Sequence, residues 1–394
     1  MTSQLSPRRL IVFLLLAVAG DATAQTDFRG LGFLSSNPDN AYSTAAALSG
    51  DGLTVVGNSI DDQGDFRSFR WTAAGGMIAL PVINPEWYGG GYGYGEAHGV
   101  SHDGSVIVGE DYNLGDLPGS TIQGYRWTAG GTPSHPGTTT GLPYVDVDYV
   151  FGQAFAVSAD GSTVVGTDGG SSRASRWTAA GGMQIIGNDS SAATGVSADG
   201  SVVAGWEADQ AFRWTEAGGM EYFGVPGASS TEATALSADG STVVGNFDYS
   251  RAFAWTEGGG FRLLDMLPDS TEWAEHHAHA VSADGRWAVG HGGESYAEIA
   301  ALWDTTTGEV WDLNVLFGSA SGFEGWILQF ANGISADGLT LAGWGLNPDG
   351  IGEAWIGTLS AHPAAVPEPA TCAALAGLGA LALAIIRRRS QTTV

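Results

Sequence analysis

The 394-residue sequence predicts an all-β fold: a β-propeller of seven four-stranded blades, closed into a ring by a strand from the N-terminal side. Three observations predict it. One unit recurs seven times, at steps of 39 to 57 residues. Each unit divides into four short strand-forming segments separated by turn signals. A spare strand precedes the first unit and the last unit lacks one, so the ragged ends complete each other and remove an open sheet edge.

The unit reads small-apolar-Ser-x-Asp-Gly-x-x-apolar-small-Gly. It runs from Ser49, Asp51 and Gly52 in the first copy to Ser335, Asp337 and Gly338 in the seventh. The first strand of each unit is the small-apolar-Ser piece, as in Ala278–Ser282. The residue two before each Ser is always Ala or Gly, which places this strand innermost, where neighbours crowd it. Asp-Gly then predicts a two-residue type I′ hairpin turn. The second strand is Thr-Val-Val-Gly or similar. The third carries one tryptophan per unit: Trp71, Trp127, Trp177, Trp214, Trp255, Trp303 and Trp355. A Gly-Gly turn leads to the fourth, as in Met183–Ile186 or Met220–Phe223. The spare strand is Leu31–Leu34, expected to complete the last blade. The Ser and Asp of the turns hold the hairpin through local hydrogen bonds and are not seven active sites.

Composition narrows the function. Acidic residues number 42 against 15 basic ones, all arginine, for a net charge of -27, which opposes nucleic acid and anionic membrane surfaces. The single cysteine, Cys372, excludes an internal disulfide and any multi-cysteine metal site. The 61 glycines are largely repeated turn chemistry.

Both ends read as addresses. Residues 1–24 form a signal peptide: Arg8 and Arg9, the apolar run Leu10–Ala19, and a small-x-small cleavage site at Ala22 and Ala24. The repeats occupy 25–360. A linker, 361–369, ends in Val366, Pro367, Glu368 and Pro369. An uncharged run, 370–386, is long enough for a short transmembrane sorting helix, and the tail 387–394 begins with Arg387, Arg388 and Arg389 on its cytoplasmic side.

A Pro-Glu-Pro motif, a span and a basic tail, in that order, resemble the PEP-CTERM sorting signal of Gram-negative bacteria. The resemblance implies recognition by an exosortase, transient anchoring in the inner membrane, and delivery to the envelope exterior or medium. It also implies an association with exopolysaccharide and biofilm. The units themselves resemble the HAF-family extracellular repeat. The nearest copy is Ala211-Phe212-Arg213-Trp214-Thr215 with Gly218-Gly219-Met220 and Ser237-Ala238-Asp239-Gly240; copies six and seven lack its Arg and Gly-Gly. That resemblance implies no defined activity.

Strand order puts the short turns on one face and the variable loops on the other, where function is expected. The richest loop, 81–96, offers Trp87, Tyr88, Tyr92 and Tyr94 as a ligand-contact surface able to stack on sugar rings. Glu272, Glu275, His276, His277 and His279 form a second cluster; His277 and His279 share a strand face and are of zinc-ligating type. His98 holds the same repeat position as His279, where the other copies place Ala46, Phe155, Thr194, Thr234 and Asn332, a tolerance that suggests channel lining rather than ligation. The acidic loops at 61–65, 111–116 and 347–350 offer oxygen ligands to calcium but lack a complete calcium-binding loop. No cofactor, metal site or catalytic set is therefore expected. The leading expectation is a secreted, non-enzymatic protein that contacts extracellular polysaccharide. The alternatives are an extracellular propeller glycosidase or lyase, which needs converging carboxylates, and a purely structural surface protein.

Overall fold

β-Branched and aromatic residues between glycine-bearing turns form seven four-stranded antiparallel sheets. The computed structural model describes residues 27–83, 94–113, 121–130, 137–143, 152–268, 270–271 and 273–363. The two cleavage-site alanines, the sorting motif and the 370–386 helix lie outside these residues, as do Trp87, Tyr88 and Tyr92. Among the described residues no helix is long and apolar enough to cross a membrane.

The seven inner strands are Ser43–Leu48, Tyr94–Val100, Gly152–Val157, Ser191–Val196, Thr231–Leu236, Glu275–Val281 and Ile327–Ile334, opening blades 1 to 7. Each touches the inner strands of both neighbouring blades, so they line a central channel. Successive strands step outward. The per-blade tryptophans lie between blades; Trp127, Trp303 and Trp355 are wholly buried. The molecule is a seven-bladed β-propeller.

The ring closes as expected, with a shift in register. The closing strand is Asp27–Gly30 rather than Leu31–Leu34, paired antiparallel with Gly352–Thr358 of blade 7. Gly32 explains the shift: its φ of +79° ends the strand there, and its N–H donates to Glu353 instead. Phe28 locks the closure, meeting Phe317, Phe323, Trp326 and Trp355 at 5.2–6.0 Å between ring centroids. Blade 6 departs from the repeat. Its outer strand shrinks to Val310–Asp312 and runs into a one-turn helix, Leu313–Leu316, that the sequence reading did not anticipate.

The Ser-x-Asp-Gly turn is not the expected type I′ hairpin. In every blade the glycine N–H bonds the Ser carbonyl, as Gly52 does to Ser49 at 2.9 Å, so the central residues are x and Asp. Of the four turn residues, only the glycine has positive φ, 68–76°. The Ser hydroxyl donates to Asp Oδ1 at 2.6–2.9 Å in all seven copies. It also accepts the N–H five residues on, while Asp Oδ1 accepts the one two residues after itself, as with Thr242 and Ser241. These side chains satisfy donors that a tight turn would otherwise strand. The Arg before the tryptophan reaches across blades: Arg126, Arg176 and Arg213 donate to the turn carbonyls of Gly161, Gly200 and Gly240.

The x residues of blades 2 to 7, with Gly50 and Asp51 in blade 1, complete a circuit. Asp51 N–H bonds His102 O, His102 bonds Ala159, and the series passes through Ala198, Ala238, Ala283 and Ala336 back to Gly50 O, at 2.8–3.1 Å. Seven backbone hydrogen bonds thus cinch the channel at its turn face.

The turns carry a pH signature. Serine hydroxyls and backbone N–H groups hold Asp103, Asp160, Asp199, Asp239 and Asp337 below the usual carboxylate range, Asp199 at about 2. A depressed folded pKa stabilises the native state above the unfolded value, near 3.9, and that contribution is lost as pH falls through the folded value. Thermal melts should therefore show a midpoint that drops between about pH 4 and pH 2, and an Asp199→Asn variant should show a shallower drop over that window.

Candidate functional site

Every inner strand carries a β-bulge, and the bulged residue is the variable one: Ala46, His98, Phe155, Thr194, Thr234, His279 and Asn332 fall between paired neighbours in blades 1 to 7. The sequence marked this position as tolerant; the sign of the bulge is the glycine of the second strand opposite it, as in Val55-Val56-Gly57. A Cβ at Gly57, Gly109, Gly166, Gly205, Gly245, Gly290 or Gly343 would lie 1.8–2.0 Å from a carbonyl oxygen that the bulge pushes toward it.

The bulge residue and the cross-strand pair two residues before it form a triplet near the axis. In several blades the triplet serves the ring. Thr194 donates to Ala233 O of the next blade, Thr234 to Ala278 O and Asn332 to Ala45 O, each at 2.8–2.9 Å. Blades 2 and 6 are chemically different. Blade 2 presents Glu96, Glu110 and His98; blade 6 presents His277, His291 and His279.

In blade 6, His279 Nε2 lies 2.9 Å from His291 Nδ1, and His277 stacks on His291 at 5.0 Å. His277 Nε2 is also 3.1 Å from Tyr249 O. Burial, then mutual repulsion, pushes His279 down to about 4 and His291 down to about 2, so both are neutral near pH 7. His291 packs against Phe330, which stacks on Trp344 of blade 7. His276 points away into the core, accepting Leu267 N–H. The predicted pair His277 and His279 is thus joined by His291, which sequence spacing missed because it sits on the second strand. Glu275 sits 3.9 Å from His277, and Glu272 lies outside the described residues.

In blade 2, Tyr94 begins the inner strand rather than ending a loop. Its hydroxyl donates to Glu96 Oε1 at 2.5 Å, and Tyr112 donates to Glu110 Oε1 at 2.6 Å. His98 Nε2 stands 3.6 Å from Glu110 and 3.9 Å from Glu96. Burial pushes Glu110 up, but its polar neighbours His98, Tyr112 and Gln153 more than offset it, and it stays below the usual range. The adjoining Asp111 points to the other side of the strand; burial raises it to about 6 against the pull of Ile83 N–H and Arg67.

The loop face carries an aromatic group that the sequence did not single out. Tyr249, Trp273 and Tyr296 are 65%, 78% and 97% exposed. They lie on neighbouring loops of blades 5 and 6. The crossover bearing Trp273 is tied to one loop by His276 N–H to Ser250 O and to the other by Thr271 to Glu294. Tyr249 and Tyr296 have φ of +57° and +69°, the left-handed region that disfavours a bulky side chain. Of the acidic loops named for calcium, 111–116 lies partly outside the described residues, while 61–65 and 347–350 direct carboxylate and amide oxygens to backbone and serine donors. Asp61 accepts Gln63 and Asp65 N–H, Asp62 caps Ser35 and Ser36, and Asn347 accepts Asp349 and Ile351 N–H.

The architecture defines a β-propeller with variable chemistry at its axis and on one face. Residues 365–389 match the PEP-CTERM protein-sorting motif, which marks a bacterial protein secreted to the cell surface with processing by an exosortase-type enzyme. No curated protein matches the chain. Among solved structures it is similar to a putative TolB from Agrobacterium tumefaciens, with 16% identity over 74% of this chain and 95% of that one, TM-score 0.43. It is also similar to an oligogalacturonate lyase from Vibrio parahaemolyticus, with 11% identity over 85% and 97%, TM-score 0.46. At these values neither likeness assigns an activity.

Proposed function

We propose that the protein is a non-enzymatic component of the extracellular matrix that binds exopolysaccharide through its loop face. The observation that carries this reading is the trio Tyr249, Trp273 and Tyr296. Exposed rings need no explanation singly, but two of these three occupy backbone conformations costing on the order of 1 kcal/mol each. Such strain at solvent-facing aromatics is accounted for when the rings have a partner to cover, and sugar rings present apolar faces suited to them. The sorting motif fits an extracellular role.

Purified propeller should be retained on exopolysaccharide in affinity electrophoresis. Changing Tyr249, Trp273 and Tyr296 together to Ala should weaken retention by at least about tenfold, roughly 1.4 kcal/mol. Equal retention of the triple variant, or none of the unaltered protein on any matrix polysaccharide, overturns the proposal. A second reading, glycosidase or lyase, is favoured by the Glu96 and Glu110 pair; new reducing or unsaturated ends in the same incubations would support it.

A further inference from the structure

We propose that Glu96, His98 and Glu110 bind a divalent first-row transition ion, of the zinc class, inside the channel at blade 2. Among the described residues these are the one set of three metal-ligating side chains that converges, with a donor atom from each within 4.8 Å of the others. Glu110 is 1% exposed, yet its Oε2 has no hydrogen-bond partner, and neither does the buried Nε2 of His98. Unpartnered buried polar atoms are costly, and here they belong to a carboxylate and an imidazole that approach to 3.6 Å through Glu110 Oε1.

The gap has the size of a coordination sphere. His98 Nε2 stands 3.6 and 3.9 Å from the two carboxylates, too far for hydrogen bonds. Two donors held about 2.0–2.1 Å from a tetrahedral ion lie about 3.4 Å apart, so a small closure brings all three onto one ion. Each carboxylate is already oriented by a phenol, Tyr94 on Glu96 and Tyr112 on Glu110, as outer partners orient metal ligands. One imidazole with two carboxylates suits a zinc-class ion better than calcium, which takes six to eight oxygens. Glu96 and His98 are each about a quarter exposed, which leaves a path from the channel and an open coordination position.

This inference does not depend on polysaccharide binding. The ring contains all of its own strands within residues 27–358 and can be tested as the 27–363 propeller. Zinc titrated calorimetrically at physiological salt, with excess calcium and magnesium to occupy the acidic surface, should bind one ion per chain. His98→Ala and Glu110→Gln should each weaken it at least about 100-fold, Tyr112→Phe by roughly 10- to 100-fold, and His279→Ala not at all. Cobalt should give the same stoichiometry with visible ligand-field absorption, a readout on unaltered protein should a variant fail to fold. Absence of a saturable single site, no cobalt absorption, or an unchanged isotherm in a folded His98→Ala protein overturns the proposal.

Discussion

Replacing Gly166 with alanine is expected to destabilise the propeller by about 3 kcal/mol or more, placing it among the more severe single substitutions. The added Cβ would lie 1.8 Å from Gln153 O, a backbone atom that cannot swing aside. Relief requires flattening the bulge at Phe155, and a flattened inner strand shifts register against its partner. Gly124→Ala is the control: its Cβ would meet nothing nearer than 3.4 Å, an ordinary contact. Guanidinium denaturation of both variants checks the claim. Comparable midpoints for the two would show that the bulge yields easily and that the glycine is not required by it.

Phe28→Ala should cost about 4 kcal/mol, the range for deleting a buried phenylalanine ring. The effect goes beyond the cavity. Phe28 is on the only strand of blade 7 that comes from the N-terminal side, so its four aromatic contacts hold the two ends of the ring together. Loosening it frees the edge of Gly352–Thr358 for pairing with other molecules. The expected signs are a lowered denaturation midpoint together with concentration-dependent aggregation. A variant that is destabilised yet stays monodisperse would mean that the closing strand remains docked without its anchor.

Most of the frame was legible because it is repeated. Seven copies of Ser-x-Asp-Gly and one tryptophan per copy specify blade number, strand order and the closing logic. What escaped is what neighbouring strands decide. A type I′ turn was expected from Asp-Gly, but Ser and Asp side chains redirect the backbone bonds and leave positive φ to the glycine alone. The bulge was hidden because it moves no residue type in the pattern; only the glycine opposite reports it. His98 reads as tolerant lining because the other copies vary at its position, and Glu110, brought near it on the second strand, is twelve residues away, where no spacing rule joins them.

The last strand of the ring also decides which way the molecule faces. Gly352–Thr358 ends on the turn face, where Leu359 N–H bonds Leu339 O and His362 stacks on Trp287 at 4.3 Å. The sorting motif begins at residue 365, seven residues past the strand's end at Thr358, a stretch that spans about 25 Å at most. Were the 370–386 run to anchor the chain in a membrane, the propeller would rest with its cinched end toward it. Its loops, with Tyr249, Trp273 and Tyr296, would then point outward.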